Sequence, residues 1–283
     1  MSIGVRTGHV LRVHFFGVRG STPAFGSDFA GVGGNTSCVA LGRDGEPWSL
    51  VLDAGTGLSA FSRLLDGEPF VGSILLGHLH LDHTQGLPFF PAGDRPDARV
   101  QLIVPEQGVD ALELMSRCFG PPHFPITLDE MLGDWTFSTI TAGEHRIEGF
   151  DVTAADVVHP GGRSMGYRVS DGVTSVVYIS DHATSAAGGT ASVEVAIELA
   201  RDADVLIHDS QFTEAEQLEL SHYGHSTPQT ALHIAERAGV STLVLFHHAP
   251  TRTDPNVERL ASALSSDSVR IVLGREGLEL QLP

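Results

Sequence analysis

Within six residues, His78-Leu79-His80-Leu81-Asp82-His83, the chain places three imidazoles and a carboxylate, directly after the apolar run Ile74-Leu75-Leu76. Imidazole nitrogen with carboxylate oxygen suits zinc or a neighbouring first-row cation. On an extended segment, side chains two apart share a face, so His78 and His80 point the same way and Asp82 with His83 face a second position. One ion of tetrahedral preference does not readily take four ligands from so short a stretch. The segment therefore reads as half of two adjacent metal sites, each completed from elsewhere. A strand before it and the turn Gln85-Gly86-Leu87-Pro88 after it supply the context that a short motif needs.

The missing donors have a recurring address. Five apolar runs finish in a residue that can bind metal or move protons: Ile74 to His78, Asp156 to His159, Val176 to Asp181, Val205 to Asp209, and Leu243 to His247. If these ends converge on one rim, that rim carries enough imidazole and carboxylate for two ions, held by a rigid scaffold. His247 and His248 are adjacent, and alternation along a strand lets only one of them be the ligand.

The elements that must do this positioning are legible as short β-like runs. In the first half they are Val13 to Phe16, Ser37 to Leu41, Ser49 to Leu52, Ser73 to Leu76 and Val100 to Val104. In the second half they are Val152 to Val158, Met165 to Val169, Ser175 to Ile179, Val205 to Ile207, Leu243 to Phe246, Val269 to Leu273 and Leu278 to Leu282. Helical periodicity falls at Gln107 to Cys118, Val193 to Arg201, Pro228 to Ala238 and Val257 to Leu264. Ser226-Thr227-Pro228 and Asp254-Pro255 are helix starts, and Gly239 is a helix stop. In the third helix Ala231, Ile234, Ala235 and Ala238 form the buried stripe, which leaves His233 on the solvated flank. The pattern predicts an α/β (α+β) sandwich of sheets flanked by helices. With no linker, low-complexity tract or repeat, residues 1–283 read as a single domain.

Composition narrows the partners. At 283 residues and 41% hydrophobic content the chain can bury a core of its own. Seventeen basic against 35 acidic side chains give a formal charge of −18, which repels polyanions, so long nucleic acid is a poor expected partner. Bound cations can still create a local positive site for a small phosphate ligand. No segment has a signal-like start or the roughly 20 apolar residues of a membrane span, so a cytoplasmic protein with no membrane partner is expected. Cys38 and Cys118 are far apart and read as buried small hydrophobes rather than a disulfide or thiolate site.

His-x-His-x-Asp-His, together with these strand ends, resembles the central motif of the metallo-β-lactamase superfamily, and the resemblance extends over nearly the whole chain. It implies a four-layer αββα sandwich with two divalent metal ions, zinc first, manganese or iron also compatible. It implies His78, His80 and His159 on one ion, Asp82, His83 and His247 on the other, and Asp181 bridging them. Asp53, in Asp53-Ala54-Gly55, resembles the family's aspartate turn that supports the ligand loop. His208-Asp209-Ser210-Gln211 and Gly224-His225-Ser226-Thr227 resemble the paired motifs of the ribonuclease Z and phosphodiesterase branch, where such a histidine faces the scissile phosphate and an acidic residue orients it. The stretch His78 to Pro88 is similar to the class II cyclic nucleotide phosphodiesterase pattern, with Thr84 at a position more often larger and apolar. Phe16 to Pro23 and Gly33 to Ser37 are similar to the branch's glycine-rich first strands. A homodimer is a family-level expectation.

Only 22 positions separate His159 from Asp181, too few for the long arm with which many ribonuclease Z enzymes grip transfer RNA. The expected activity is therefore hydrolysis of a small phosphodiester or cyclic nucleotide by hydroxide held between two metal ions, with catalytic roles for Asp82, His225 and Asp209. Two alternatives stand beside it. One is a lactone, thioester or β-lactam hydrolase on the same site, and the other is a metal-dependent nucleotide-binding module without turnover. Among the other histidines, His182 and His222 read as loop residues, His208 as packed inside the rim, and His123, in Pro121-Pro122-His123-Phe124-Pro125, as a candidate pocket wall.

Overall fold

Alternation along the strands decides the layers. In β1 (Leu11–Gly17), Leu11, Val13 and Phe15 enter one buried cluster and Phe16 another, so both faces of the strand need cover. The computed structural model, which describes residues 10–184 and 189–283, supplies it with two sheets and two helical layers.

The first sheet adds β2 (Cys38–Arg43), β3 (Leu50–Leu52), β4 (Val71–Leu75), β5 (Arg99–Pro105), β6 (Asp134–Ile140) and β14 (Glu279–Leu282), in the order β14-β1-β2-β3-β4-β5-β6. The second holds β7 (Gly143–Ile147), β8 (Phe150–Val157), β9 (Ser164–Ser170), β10 (Ser175–Ile179), β11 (Val205–Asp209), β12 (Thr242–Phe246) and β13 (Arg270–Leu273), in the reverse order β13 to β7. Between the sheets, Phe15, Leu52 and Leu75 from one meet Tyr167, Tyr178 and Phe246 from the other. The helices are α1 (Gly57–Leu64), α2 (Leu81–Thr84), α3 (Ala111–Ser116), α4 (Gly189–Leu199), α5 (Glu214–Leu220), α6 (Pro228–Ala238) and α7 (Asp254–Ser262). Leu58 and Phe61 of α1 and Met115 of α3 cover Val51, Ile74 and Leu102 on the outer face of the first sheet. Ala196 and Ile197 of α4 with Ile234 and Ala235 of α6 cover Val177, Leu206 and Leu243 on the second. This is the expected four-layer αββα sandwich. Among the described residues, no helix is long and apolar enough to cross a membrane.

Every strand expected from the sequence is present, and two edge strands were missed. β6 and β7 each border one sheet, and β7 buries only Ile147, so the alternation signal is thin there. Three short helices, α1, α2 and α5, also escaped periodicity. The first expected helix shrinks to six residues because Asp110 caps it, its side chain accepting from the Glu113 N–H at 3.1 Å. Thr227 caps α6 as expected, and Gly239 ends it in the left-handed region at φ 73°. At α7 the cap is Thr253, while Asp254 is the first helical residue. Cys38 is buried, but Cys118 is exposed, because α3 ends two residues before it.

Topology explains the rim. β10, β11 and β12 are adjacent and parallel, so Asp181, Asp209 and His247 leave from the same edge. β8 runs the same way, two antiparallel steps across, and delivers His159. In the other sheet β3 and β4 are parallel neighbours whose ends lead into Asp53 and His78. Loops at the carboxyl ends of parallel strands are where α/β folds assemble sites.

Candidate metal centre

The motif does not stay extended throughout. His80 is extended, at φ −63° and ψ 152°, and the chain then turns helically through α2. That change separates the two halves of the motif. His78 and His80 join His159, whereas Asp82 and His83 join His247, the nitrogen and oxygen atoms of each group lying within 4.8 Å of one another. Asp181 stands between them, its Oδ2 at 3.1 Å from His83 Nε2 and its Oδ1 at 3.7 Å from His159 Nε2 and 3.4 Å from His247 Nε2. All of these residues are buried except His80, which is exposed.

The hydrogen bonds around these rings fix which nitrogen faces inward. His83 Nδ1 donates to Asp53 Oδ2 at 2.6 Å, and His159 Nδ1 donates to the Gly224 carbonyl at 2.9 Å, so in the neutral rings Nε2 carries a lone pair. Those lone pairs meet others: His83 Nε2 lies 3.3 Å from His247 Nε2, and His159 Nε2 lies 3.2 Å from His80 Nδ1. The buried atoms His78 Nε2 and Asp181 Oδ2 have no hydrogen-bond partner. Convergent lone pairs and orphaned buried polar atoms are costly unless a cation occupies the space between them, so the residues present fit two divalent ions.

Charge balance says the same. Burial works against charging His83, yet Asp82, Asp181 and Asp53 together raise its pKa well above the usual histidine range. Burial opposes ionisation of Asp181 and Asp82 as well, and the neighbouring imidazoles, His247 and His83 foremost for Asp181 and His83 for Asp82, nevertheless hold both below the usual carboxylate range. In His78 burial wins, and its pKa falls well below 6.5. A proton on His83 and a metal ion at the same spot are alternative ways to balance this cluster of carboxylates.

Asp53 supports the loop as the motif suggested. Its Oδ1 accepts from the Gly77 N–H at 2.7 Å, and its Oδ2 accepts from His83 and from the Tyr178 hydroxyl, each at 2.6 Å. Asp53 and His247 both have φ 59°, and Ser21 has φ 63°, a left-handed region costly for residues with a Cβ. Ser21 presents its N–H to Asp82 Oδ2 at 2.6 Å, a contact that nothing in its local sequence announced. Next to it, a Cβ on Gly20 would fall 2.5 Å from the His247 ring, so only glycine lets this loop pass.

His225 and Asp209 come together at 3.1 Å, Nδ1 donating to Oδ2. Asp209 is fully buried and also accepts from the backbone N–H groups of Gln211, Ser226 and His182, and the His225 imidazole keeps its pKa low against the effect of burial. His225 Nδ1 lies 3.7 Å from Asp181 Oδ1, beside the metal groups. His248 turns away and meets the Gly274 carbonyl at 3.0 Å, so His247 is the one at the rim. The two part company because the strand ends at Phe246, not by simple strand alternation.

His182 lies in the loop that follows β10, as expected, but packs inward. It is fully buried, its Nδ1 at 2.9 Å from His208 Nε2 and its Nε2 at 2.7 Å from Ser192 Oγ. His208 is packed inside, as expected, with Nδ1 at 2.8 Å from the Asp209 carbonyl. His222 and His123 are both exposed.

A family model described as "Beta-lactamase superfamily domain" matches residues 49–248. A Ribonuclease Z from Limosilactobacillus fermentum is 30% identical over 219 residues, covering 62% of this chain and 69% of that protein. Among solved structures, the metallo-beta-lactamase fold protein YhfI from Bacillus subtilis superposes with a TM-score of 0.73 at 18% identity, over 97% of this chain and 100% of the other. The short form of human tRNase Z does so with a TM-score of 0.67 at 20% identity, over 96% of this chain and 99% of the other.

Proposed function

This chain belongs to the beta-lactamase superfamily, in its ribonuclease Z-like branch, and from that premise we propose that it is a dinuclear metal-dependent phosphodiesterase acting on a small phosphodiester. That it is a metal-dependent hydrolase follows from the fold and its relatives; the substrate is our reading. In it, His78, His80 and His159 hold one ion, Asp82, His83 and His247 the second, and Asp181 reaches both. The donor set favours zinc, with manganese and iron compatible. Residues 1–283 act as one hydrolase domain.

The chemistry that a divalent pair supplies when bound is a nucleophile at neutral pH, since coordination lowers the pKa of water from 15.7 to about 7, and neutralisation of phosphate charge. The protein's own groups do the rest. Asp53 keeps His83 in the tautomer whose Nε2 is free to ligate. Asp209 holds His225 by Nδ1 and fixes the orientation of its ring, and His225 Nε2, with no hydrogen-bond partner among the described residues, delivers a proton to the departing oxygen. The observation that carries the phosphodiester reading is this His225–Asp209 pair at 3.1 Å beside the metal groups. Two further features favour a small substrate. The connection from His159 to Asp181 is used up by two short turns and the strands β9 and β10, leaving no projecting arm, and the net charge is −18.

Metal analysis followed by a hydrolysis screen tests the proposal. The panel is bis(p-nitrophenyl) phosphate, cyclic nucleotides, a precursor transfer RNA, lactones and β-lactams. Turnover of the small phosphodiesters with two metals per chain is expected. Preferential cleavage of the precursor RNA, or of lactones or β-lactams, would overturn it, and tight nucleotide binding without hydrolysis would favour a binding module.

A further inference from the structure

A cavity of about 310 Å³ opens on the metal centre at His78 and His80, and His225 is not part of its wall. Its apolar lining comes from Leu79, Val109 and Leu114. Apart from the two imidazoles, the ionisable side chains on that wall are both guanidinium groups, Arg117 and Arg163. In a chain with 35 acidic and only 17 basic residues, a wall with two arginines and no carboxylate is a local reversal of charge. Their present partners lie outside the cavity: Arg117 meets Glu113 at 2.8 Å, and Arg163 meets Asp156 at 2.5 and 2.9 Å. Three of the four side chains are exposed and Arg163 is half-buried, and such surface ion pairs are weak enough to be exchanged.

A second, independent feature points to a ligand. Ser164 lines the same cavity, is 96% buried (4% exposed), and its Oγ has no hydrogen-bond partner. An unpaired buried hydroxyl is costly and is satisfied when a ligand oxygen reaches it. The backbone brings this wall close to the metal donors. Gly161, at φ 96°, lies where a Cβ would be 2.6 Å from His80 Nε2, so both its conformation and the space demand glycine.

We propose that this cavity is a subsite for a second anionic group, a carboxylate or a phosphate, carried by the substrate next to the ester that is cleaved at the metals. The hydroxyl of Ser164 and the guanidinium of Arg117 would receive it, in a cavity whose wall does not include the proton donor. The inference rests on the metal-centred phosphodiesterase reading and names which phosphodiesters that site prefers.

Calorimetric binding to the zinc-loaded protein tests it without requiring turnover. The probes are propylphosphonate, which has one anionic group for the metals, and 3-phosphonopropionate and propane-1,3-diphosphonate, which add a carboxylate or a phosphonate. We expect at least one of the two doubly anionic probes to bind tenfold or more tightly than propylphosphonate, and the better of the two identifies the second group. In Arg117→Gln and Ser164→Ala that advantage falls below threefold while propylphosphonate binds as in the parent. Equal affinity of all three probes in the parent, or an advantage kept in both variants, overturns the subsite. If the advantage holds but no phosphodiester is hydrolysed, the hydrolytic reading falls and the anion subsite stands.

Discussion

Asp53→Asn isolates the supporting role of one buried carboxylate. Asparagine is among the few side chains that tolerate the left-handed φ of 59° at this position, so the backbone survives the exchange. The amide oxygen can still accept from His83 Nδ1 and Tyr178, but its nitrogen then faces the Gly77 N–H, which now donates to Oδ1 at 2.7 Å. Two donors meet, and one buried backbone group is left unpaired, at a cost of about 1–3 kcal/mol. His83 also loses the charge that makes it a strong donor. Loss of such an outer partner typically weakens metal binding by about 10–100-fold, or about 1.4–2.8 kcal/mol. Chelator competition, reading the weaker of the two metal affinities, should show that drop, with activity restored at high metal concentration. Tyr178→Phe removes one neutral donor to the same oxygen and should give a smaller loss. A metal affinity within twofold of the parent in Asp53→Asn would refute the argument that Asp53 sets the tautomer and position of His83.

Further expectations follow from the same geometry. Asp82→Ala should abolish turnover and lower metal content toward one ion per chain; full activity with one ion would sink the two-metal assignment. His225→Ala should slow turnover by about 10²–10⁴-fold with two metals retained. Metal loss in that variant, read by elemental analysis, would make His225 a ligand. Buried His182 is held neutral, its pKa pushed down to about 3 by burial and by His208, in a chain in which Ser192 donates to His182, His182 to His208 and His208 to the Asp209 carbonyl. Because the folded pKa is depressed, the unfolded chain takes up the proton first, so stability present above pH 6.5 is lost as pH falls toward 3. The stability difference between the parent and His182→Asn, measured by denaturant unfolding, should therefore shrink by about 1.4 kcal/mol between pH 7.5 and 5.5. A difference independent of pH would mean that the fold does not depress the His182 pKa, and a difference that widens toward pH 5.5 would mean that His182 is charged in the fold.

Residue type and spacing alone identified the donor-rich rim and the layers. Six residues with four donors, and apolar runs ending in His159, Asp181, Asp209 and His247, need no tertiary information to be read as ligands delivered by strands. Alternation and length located the strands of both cores, because burial of one or both faces is written directly into residue type. It failed at β6 and β7, where an edge position removes that pressure, and at α2, where four residues are too few to show a period. Which donors meet was settled by the packing of loops and sheets. Ser21 reaches Asp82 across 61 positions and Tyr178 reaches Asp53 across 125, contacts that depend on loop conformation and sheet packing rather than on any local pattern. The fate of individual histidines was decided the same way. His182 and His248 sit beside Asp181 and His247 in sequence, yet each turns from the metals to a partner of its own, because the backbone leaves its strand just there and redirects every side chain that follows.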